Sequence, residues 1–201
     1  MKKLLLLLIA FYLSISCYCQ GSRVYFERGE SKINLQDYQG AIVDYTKAIE
    51  INPKFAEAYE NRGFSKENLQ DYEGAMADYN KAIEINPNYG DAYYNRGNIK
   101  AKLQDFRGGI ADYSKAIEID STEPETYYNR GILKDDLRDY QGAIEDYSKA
   151  IEINPKFGGA YLNRGIAEYL LSQKERGCLD FSKAGELGEV KAYDMIKEFC
   201  N

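Results

Sequence analysis

Gly29, Gly63, Gly97, Gly131 and Gly165 stand 34 residues apart, and so do Asp44, Asp78, Asp112, Asp146 and Asp180. Around each glycine the segment YxNRGxxK recurs with small departures. A period of this size marks stacked supersecondary units that bury their apolar faces only against neighbours. It also directs function toward an extended surface and away from a pocket.

Within the first copy, Tyr25, Gly29 and the stem of Lys32 share one helical stripe, and Ala41, Tyr45, Ala48 and Ile49 mark a second. Leu35-Gln36-Asp37-Tyr38 is a short polar break between them, and Asn52-Pro53 ends the second helix, since a residue before proline leaves the helical region. The reading is helix–turn–helix, with five repeats at 22–55, 56–89, 90–123, 124–157 and 158–191. Tyr193, Ile196 and Phe199 in the remaining 192–201 predict a short helix over the open end of the stack.

These residues resemble the tetratricopeptide repeat pattern, W-x2-L-G-x2-Y, then A-x3-F, then P. The first repeat offers Tyr25, Arg28, Gly29, Lys32, Ala41, Tyr45 and Pro53; the second offers Tyr59, Arg62, Gly63, Lys66, Ala75, Tyr79 and Pro87. Tyr replaces the Trp and Arg the Leu throughout. Repeat three has Gly109 for the Ala and Ser121 for the Pro, and repeat five has Gly177 and Gly188-Glu189 at the corresponding places. The resemblance spans 22–191 and implies an all-α, right-handed α-solenoid of five helix-turn-helix units with a C-terminal capping helix.

Residues 1–19 read as a secretory signal peptide: Lys2 and Lys3, an apolar run from Leu4 to Ile15, then small residues. About twelve apolar residues are too few for a comfortable membrane span, so no span is expected in the mature chain, which would be periplasmic or secreted. The alternative, lipid anchoring through Cys17 after Ser16, is disfavoured by Ser14, where such signals carry an apolar residue.

Two pairings follow from hairpin geometry. Each Arg of the motif precedes an Asp by 16 residues, and residues equidistant from a turn lie level across antiparallel helices. Arg28 and Asp44 are level across the turn at Gln36; Asp44 and Arg62 are level across Pro53. An Arg–Asp ladder is expected, within or between repeats. With Cys17 and Cys19 in the leader, Cys178 and Cys200 remain, level across Gly188-Glu189. In an oxidising compartment they are expected to form a disulfide, with two free thiols or a redox pair as alternatives.

The chain has no His, which removes the commonest general base and metal ligand at neutral pH. No nucleophile–base set, metal cluster or phosphate loop appears, so neither an enzyme nor a cofactor is expected. Removing Lys2 and Lys3 with the leader leaves 24 basic residues against 32 acidic, a balance of −8 that disfavours nucleic acid.

In the resembled family the first-helix face opposite Tyr25 and Gly29 lines a concave groove. Here that face carries Phe26, then Glu60, Phe64 and Glu67, then Tyr94, Asn98 and Lys102, then Tyr128, Ile132 and Asp135, and finally Leu162, Ile166 and Tyr169. These places vary between repeats while the packing places stay fixed. Aromatics with acids suit an extended peptide with apolar anchors and a basic residue or two. A competing reading buries Phe26 and Leu162 against adjacent first helices. The function expected is a non-enzymatic scaffold for peptide or protein partners. The alternatives are a weakly self-associating structural protein and an enzyme accessory of the cell envelope.

Overall fold

A computed structural model of the chain describes residues 21–200. The leader expected over 1–19, with Cys17, lies outside the described residues. All regular structure among the described residues is helical: α1 (21–34), α2 (Tyr38–Ile51), α3 (Ala56–Asn68), α4 (Tyr72–Ile85), α5 (Gly90–Lys102) and α6 (Phe106–Ile119). Then follow α7 (Pro124–Asp136), α8 (Tyr140–Ile153), α9 (Gly158–Leu170), α10 (Lys174–Glu186), α11 (Val190–Met195) and a π-type turn, Ile196–Cys200. Consecutive helices pack in pairs. The chain forms two compact units, the first ending at Arg96 and the second beginning at Gly97.

Each hairpin turn is written by a Gln-Asp-x-x-Gly type of signal. Asp37, Asp71, Asp105 and Asp139 cap the second helices by accepting from the backbone N–H of Gly40, Gly74, Gly108 and Gly142. The residue before each cap, Gln36, Gln70, Gln104 or Arg138, takes a φ of 59–64°, the left-handed conformation that reverses a chain leaving a helix. That conformation lets the N–H of Asp71 reach the carbonyl of Lys66 at 2.9 Å. These side chains accept a strained φ that glycine would adopt freely.

The core is built one tyrosine at a time. Tyr45, Tyr79, Tyr113 and Tyr147 are almost wholly buried, as is Phe181 at the fifth equivalent place. Each ring packs against the motif glycine of its repeat: a Cβ on Gly29, Gly63, Gly97, Gly131 or Gly165 would fall 2.5–2.9 Å from the aromatic ring. The glycine is therefore a socket for the ring. In the second compact unit, Gly109 stands where repeats one, two and four carry Ala because Leu133 reaches into that space, 2.6 Å from where a Cβ would sit.

The Arg–Asp ladder runs within repeats. Arg62 grips both carboxylate oxygens of Asp78 at 2.9 and 2.6 Å, and Arg130 does the same to Asp146 at 2.9 and 2.7 Å. Arg28–Asp44 and Arg164–Asp180 repeat this geometry. The third nitrogen supplies the link between repeats, donating to a small polar residue two places after the preceding Asp: Arg62 to Thr46, Arg96 to Asn80, Arg130 to Ser114 and Arg164 to Ser148. One guanidinium thus ties three helices together. It also lies over the motif tyrosine, as Arg62 over Tyr59 at 5.5 Å. The motif lysine, expected only as an apolar stem, adds a second cation to the same carboxylate: Lys66 to Asp78 at 2.7 Å and Lys134 to Asp146 at 2.8 Å.

At the C-terminus, Cys178 and Cys200 are disulfide-bonded, pinning the tail to α10. Gly188, at φ +96°, turns the chain so that α11 starts at Val190, two residues earlier than 192. Ala192 enters the core beside Leu162, Phe181 and Ala184, with Ile196 and Phe199 packed alongside. Tyr193 stays 60% exposed, its hydroxyl donating to the carbonyl of Gly185.

Candidate partner-binding surface

In the first compact unit, the first-helix face expected to meet a partner is partly consumed by packing. Phe26 is 5% exposed, wedged against Tyr45 and, at 4.8 Å between ring centroids, against Phe55, which precedes α3. Glu60 occupies the equivalent place one repeat on and is 8% exposed. Its carboxylate accepts from Asn95 Nδ2 at 2.8 Å and from the Tyr89 hydroxyl at 3.4 Å, holding α3 to α5. Burial, and then the charge of Asp91, push Glu60 up to about 7. Phe64 and Glu67 are half-buried: Phe64 meets the edge of Tyr38, and Glu67 accepts from the Tyr79 hydroxyl at 3.1 Å. Tyr94 is half-buried on α5.

In the second unit, Asn98 and Asp135 accept from the hydroxyls of Tyr113 and Tyr147 at 2.7 and 2.6 Å. Core tyrosines thus reach through to polar groups on the first helices. Burial pushes Asp135 up to about 6 against the pull of Tyr147, with Asp136 and Asp139 adding to the rise. Lys102 is exposed and Ile132 half-buried. Leu162 is 8% exposed in the C-terminal core, where Ile166 packs beside it, and Tyr169 stacks on Phe199 at 4.5 Å. The tail thus occupies part of the face expected to be open.

This unit has an open cleft of about 520 Å³. Its walls are Tyr128, Phe157, Leu162 and Asn163 on one side and Gly188, Glu189, Val190 and Lys191 on the other. Tyr128 stacks on Phe157 at 4.6 Å and accepts a hydrogen bond from Asn163 at 3.1 Å, which fixes the aromatic wall. Gly159 makes the space: the equivalent places in the other repeats hold Arg23, Glu57, Asp91 and Glu125. A Cβ there would lie 3.2 Å from the Tyr128 hydroxyl. The site is a slot of mixed lining, with an aromatic wall, a fixed amide and one charge of each sign at its rim.

A tetratricopeptide repeat model matches residues 90–123 and 124–157, and a TPR repeat model matches 23–70 and 68–104. The chain belongs to the tetratricopeptide repeat family. Among solved structures, this TPR chain is similar to the MamA protein at 26% identity and a TM-score of 0.77, covering 87% of this chain and 95% of that one. It is similar to YrrB, described as a TPR protein with an unusual peptide-binding site, at 20% identity and a TM-score of 0.77, covering 94% and 98%. It also resembles pilF of Pseudomonas aeruginosa at 17% identity and a TM-score of 0.75, covering 85% and 78%. At these last two identities the likeness is one of fold. No curated protein matches the sequence.

Three functional elements escaped sequence reasoning. The lysines 12 residues before four of the five Asp residues carried a visible signal, since each stands one helical turn after the level Arg on the same stripe. The bridging Thr46, Asn80, Ser114 and Ser148 carried another, in their constant place after Asp-Tyr. The slot at Gly159 carried only a missing side chain, which means nothing until the neighbours are placed. Among the described residues no helix is long and apolar enough to cross a membrane.

Proposed function

We propose that the protein is a non-enzymatic scaffold that holds an extended peptide of a partner against its first-helix faces. The observation that carries this reading is the slot beside Gly159. It is apolar enough for one aliphatic or aromatic anchor, and Glu189 at its rim suits a neighbouring basic residue. In the second unit, half-buried Ile132, one turn beyond Tyr128 on α7, supplies further apolar contact, and buried Leu162 lines the slot. Peptide recognition by YrrB, of the same fold, is consistent with this use. The disulfide of Cys178 and Cys200 and the leader-like residues 1–19 together support export to an oxidising compartment.

The test is an array of peptides with one apolar residue flanked by Lys or Arg, probed with the intact protein and with Gly159→Glu and Tyr128→Ala. Binding weakened about tenfold or more in both variants is expected, on the scale of losing one well-packed anchor. Peptide binding that neither change weakens would remove the slot as the site.

A further inference from the structure

The disulfide closes a loop that carries one wall of the slot. Cys178 and Cys200 are bonded across a sequence separation of 22, and Gly188, Glu189, Val190 and Lys191 all lie inside that loop. The wall has two parts. Gly188 and Glu189 are tied to the end of α10, their N–H groups donating to the carbonyls of Gly185 and Ala184 at 3.0 Å. Val190 and Lys191 open α11, so their place is set by how α11 is docked. Leu162 belongs to both structures: it lines the slot, and it sits in one cluster with Phe181, Ala184 and Ala192.

Apart from the disulfide, α11 and the turn after it are lightly held. They span six and five residues, and helical segments this short are not stable without packing. Of these residues only Ala192 is buried. Met195, Ile196 and Phe199 pack half-buried against the cluster, and the Tyr193 hydroxyl donates to the carbonyl of Gly185 at 3.1 Å. The crosslink to α10 therefore supplies a large share of the docking, by denying the tail the freedom it would gain on leaving. Both cysteines are half-exposed, which puts the disulfide within reach of a thiol from solvent.

On the reading of the slot as a peptide site, we propose that the Cys178–Cys200 disulfide is its redox switch. Oxidised, the protein holds the peptide; reduced, it releases α11 and with it Val190 and Lys191. The reductant is a dithiol. One of its thiolates attacks a sulfur of the disulfide, forming a mixed disulfide and expelling the other cysteine as a thiolate, which takes a proton. The second thiol then attacks the reductant's own sulfur in that mixed disulfide and expels the remaining cysteine, which is protonated in turn. The cystine gains two electrons and two protons, and the dithiol leaves as a cyclic disulfide. Once the crosslink is open, Phe199 leaves Tyr169, and Leu162 and Ile166 lose the cover of the tail. The slot keeps Tyr128, Phe157 and Asn163 but lacks the wall that faced them.

The experiment follows the intact protein oxidised, reduced with dithiothreitol and reoxidised, with two readouts. Amide exchange over 188–200 needs no peptide. Reduction should speed it about a hundredfold, the scale of removing a crosslink of this size, and reoxidation should restore it. The second readout is binding of a fluorescent peptide with one phenylalanine between two lysines in a Gly/Ser chain. Its affinity should fall about tenfold on reduction, as for the loss of an anchor contact. The double variant Cys178→Ser, Cys200→Ser should match the reduced form and ignore dithiothreitol, its helix content showing that the repeats are folded. Exchange over 188–200 that reduction leaves unchanged would overturn the switch, whatever the peptide does. So would equal peptide affinity in both redox states when Gly159→Glu abolishes binding by the oxidised protein. Oxidised-state binding that Gly159→Glu leaves intact overturns the peptide reading of the slot, and redox control of the slot with it, while the exchange data still report release of the tail.

Discussion

Glu60 makes the stability of the first compact unit fall as pH rises through neutrality. Its carboxyl is buried between α3 and α5 with only neutral donors, Asn95 and Tyr89, and with Asp91 adding negative charge. Tyr79 and Tyr45 also feel its charge. Burial takes it from an ordinary 4.5 to about 7. A carboxyl whose pKa is higher when folded binds its proton more tightly in the native state. Its destabilising effect is absent below pH 4.5 and complete above pH 7. At 1.36 kcal/mol per pH unit, about 3 kcal/mol of stability is lost across that window. Glu60→Gln keeps an acceptor for Asn95 and turns an amide N–H toward the Tyr89 hydroxyl, which then accepts, without the charge. The variant should match wild type at pH 4.5 and exceed it by about 2–3 kcal/mol at pH 8. Urea unfolding at both pH values, followed by tyrosine fluorescence and by amide exchange in α3, reads the difference. Asp44 works in the opposite direction: the hydrogen bond from Arg28, with Lys32, holds it at about 2, so its stabilising contribution is lost as pH falls from about 4 toward 2. Wild-type stability should therefore peak near pH 4–5. A wild-type profile flat from pH 5 to 8, or a Glu60→Gln protein less stable at pH 8, would refute the buried-carboxylate reasoning.

Other perturbations follow from the repeated contacts. Asp146→Asn leaves Arg130 and Lys134, both under 20% exposed, without their counter-charge; thermal unfolding should show a loss of about 2–3 kcal/mol. Gly131→Ala places a methyl 2.7 Å from the ring of fully buried Tyr147; overpacking of about 1–3 kcal/mol outweighs the roughly 1 kcal/mol gained in helix propensity, so urea unfolding should report net destabilisation. Gln70→Gly relieves a φ of 64° and should stabilise by about 0.5–1 kcal/mol in the same assay. Reducing Cys178–Cys200 opens a loop with a sequence separation of 22 and should cost about 3 kcal/mol, measured as a drop in Tm that the Cys200→Ser variant shows without reductant.

The fold was legible because its determinants are local and repeated. Five glycines paired with five aromatics at one period, and a proline or its substitute at each exit, specify helix pairs that must stack, whatever lies on their surface. The level placement of residues about a turn was enough to anticipate Arg28 beside Asp44 and Cys178 beside Cys200. Such arithmetic is sound because an antiparallel hairpin converts sequence distance into height. It could not choose between Asp44 and Asp78 as the partner of Arg62, because both are level with it. The choice depends on which neighbour the guanidinium fork can grip with two nitrogens while the third reaches Thr46. The surface was less legible for the same reason. Phe26, Phe64 and Tyr128 occupy the same helical face, yet Phe26 is sealed by Phe55 while Tyr128 borders an open slot. Whether a face residue is floor or contact depends on the size of neighbours far away in sequence, and Gly159 acts by what it lacks. By itself, then, the sequence determined the repeat, its hairpins and the glycine–ring sockets, because these are set by residues a few turns apart. Only the tertiary structure decided that Glu60 is buried without a cation, that the tail covers Tyr169, and that Val190 and Lys191 wall the slot beside Gly159. Burial and pairing depend on every element packed around a group, and that environment exists only once the helices have stacked.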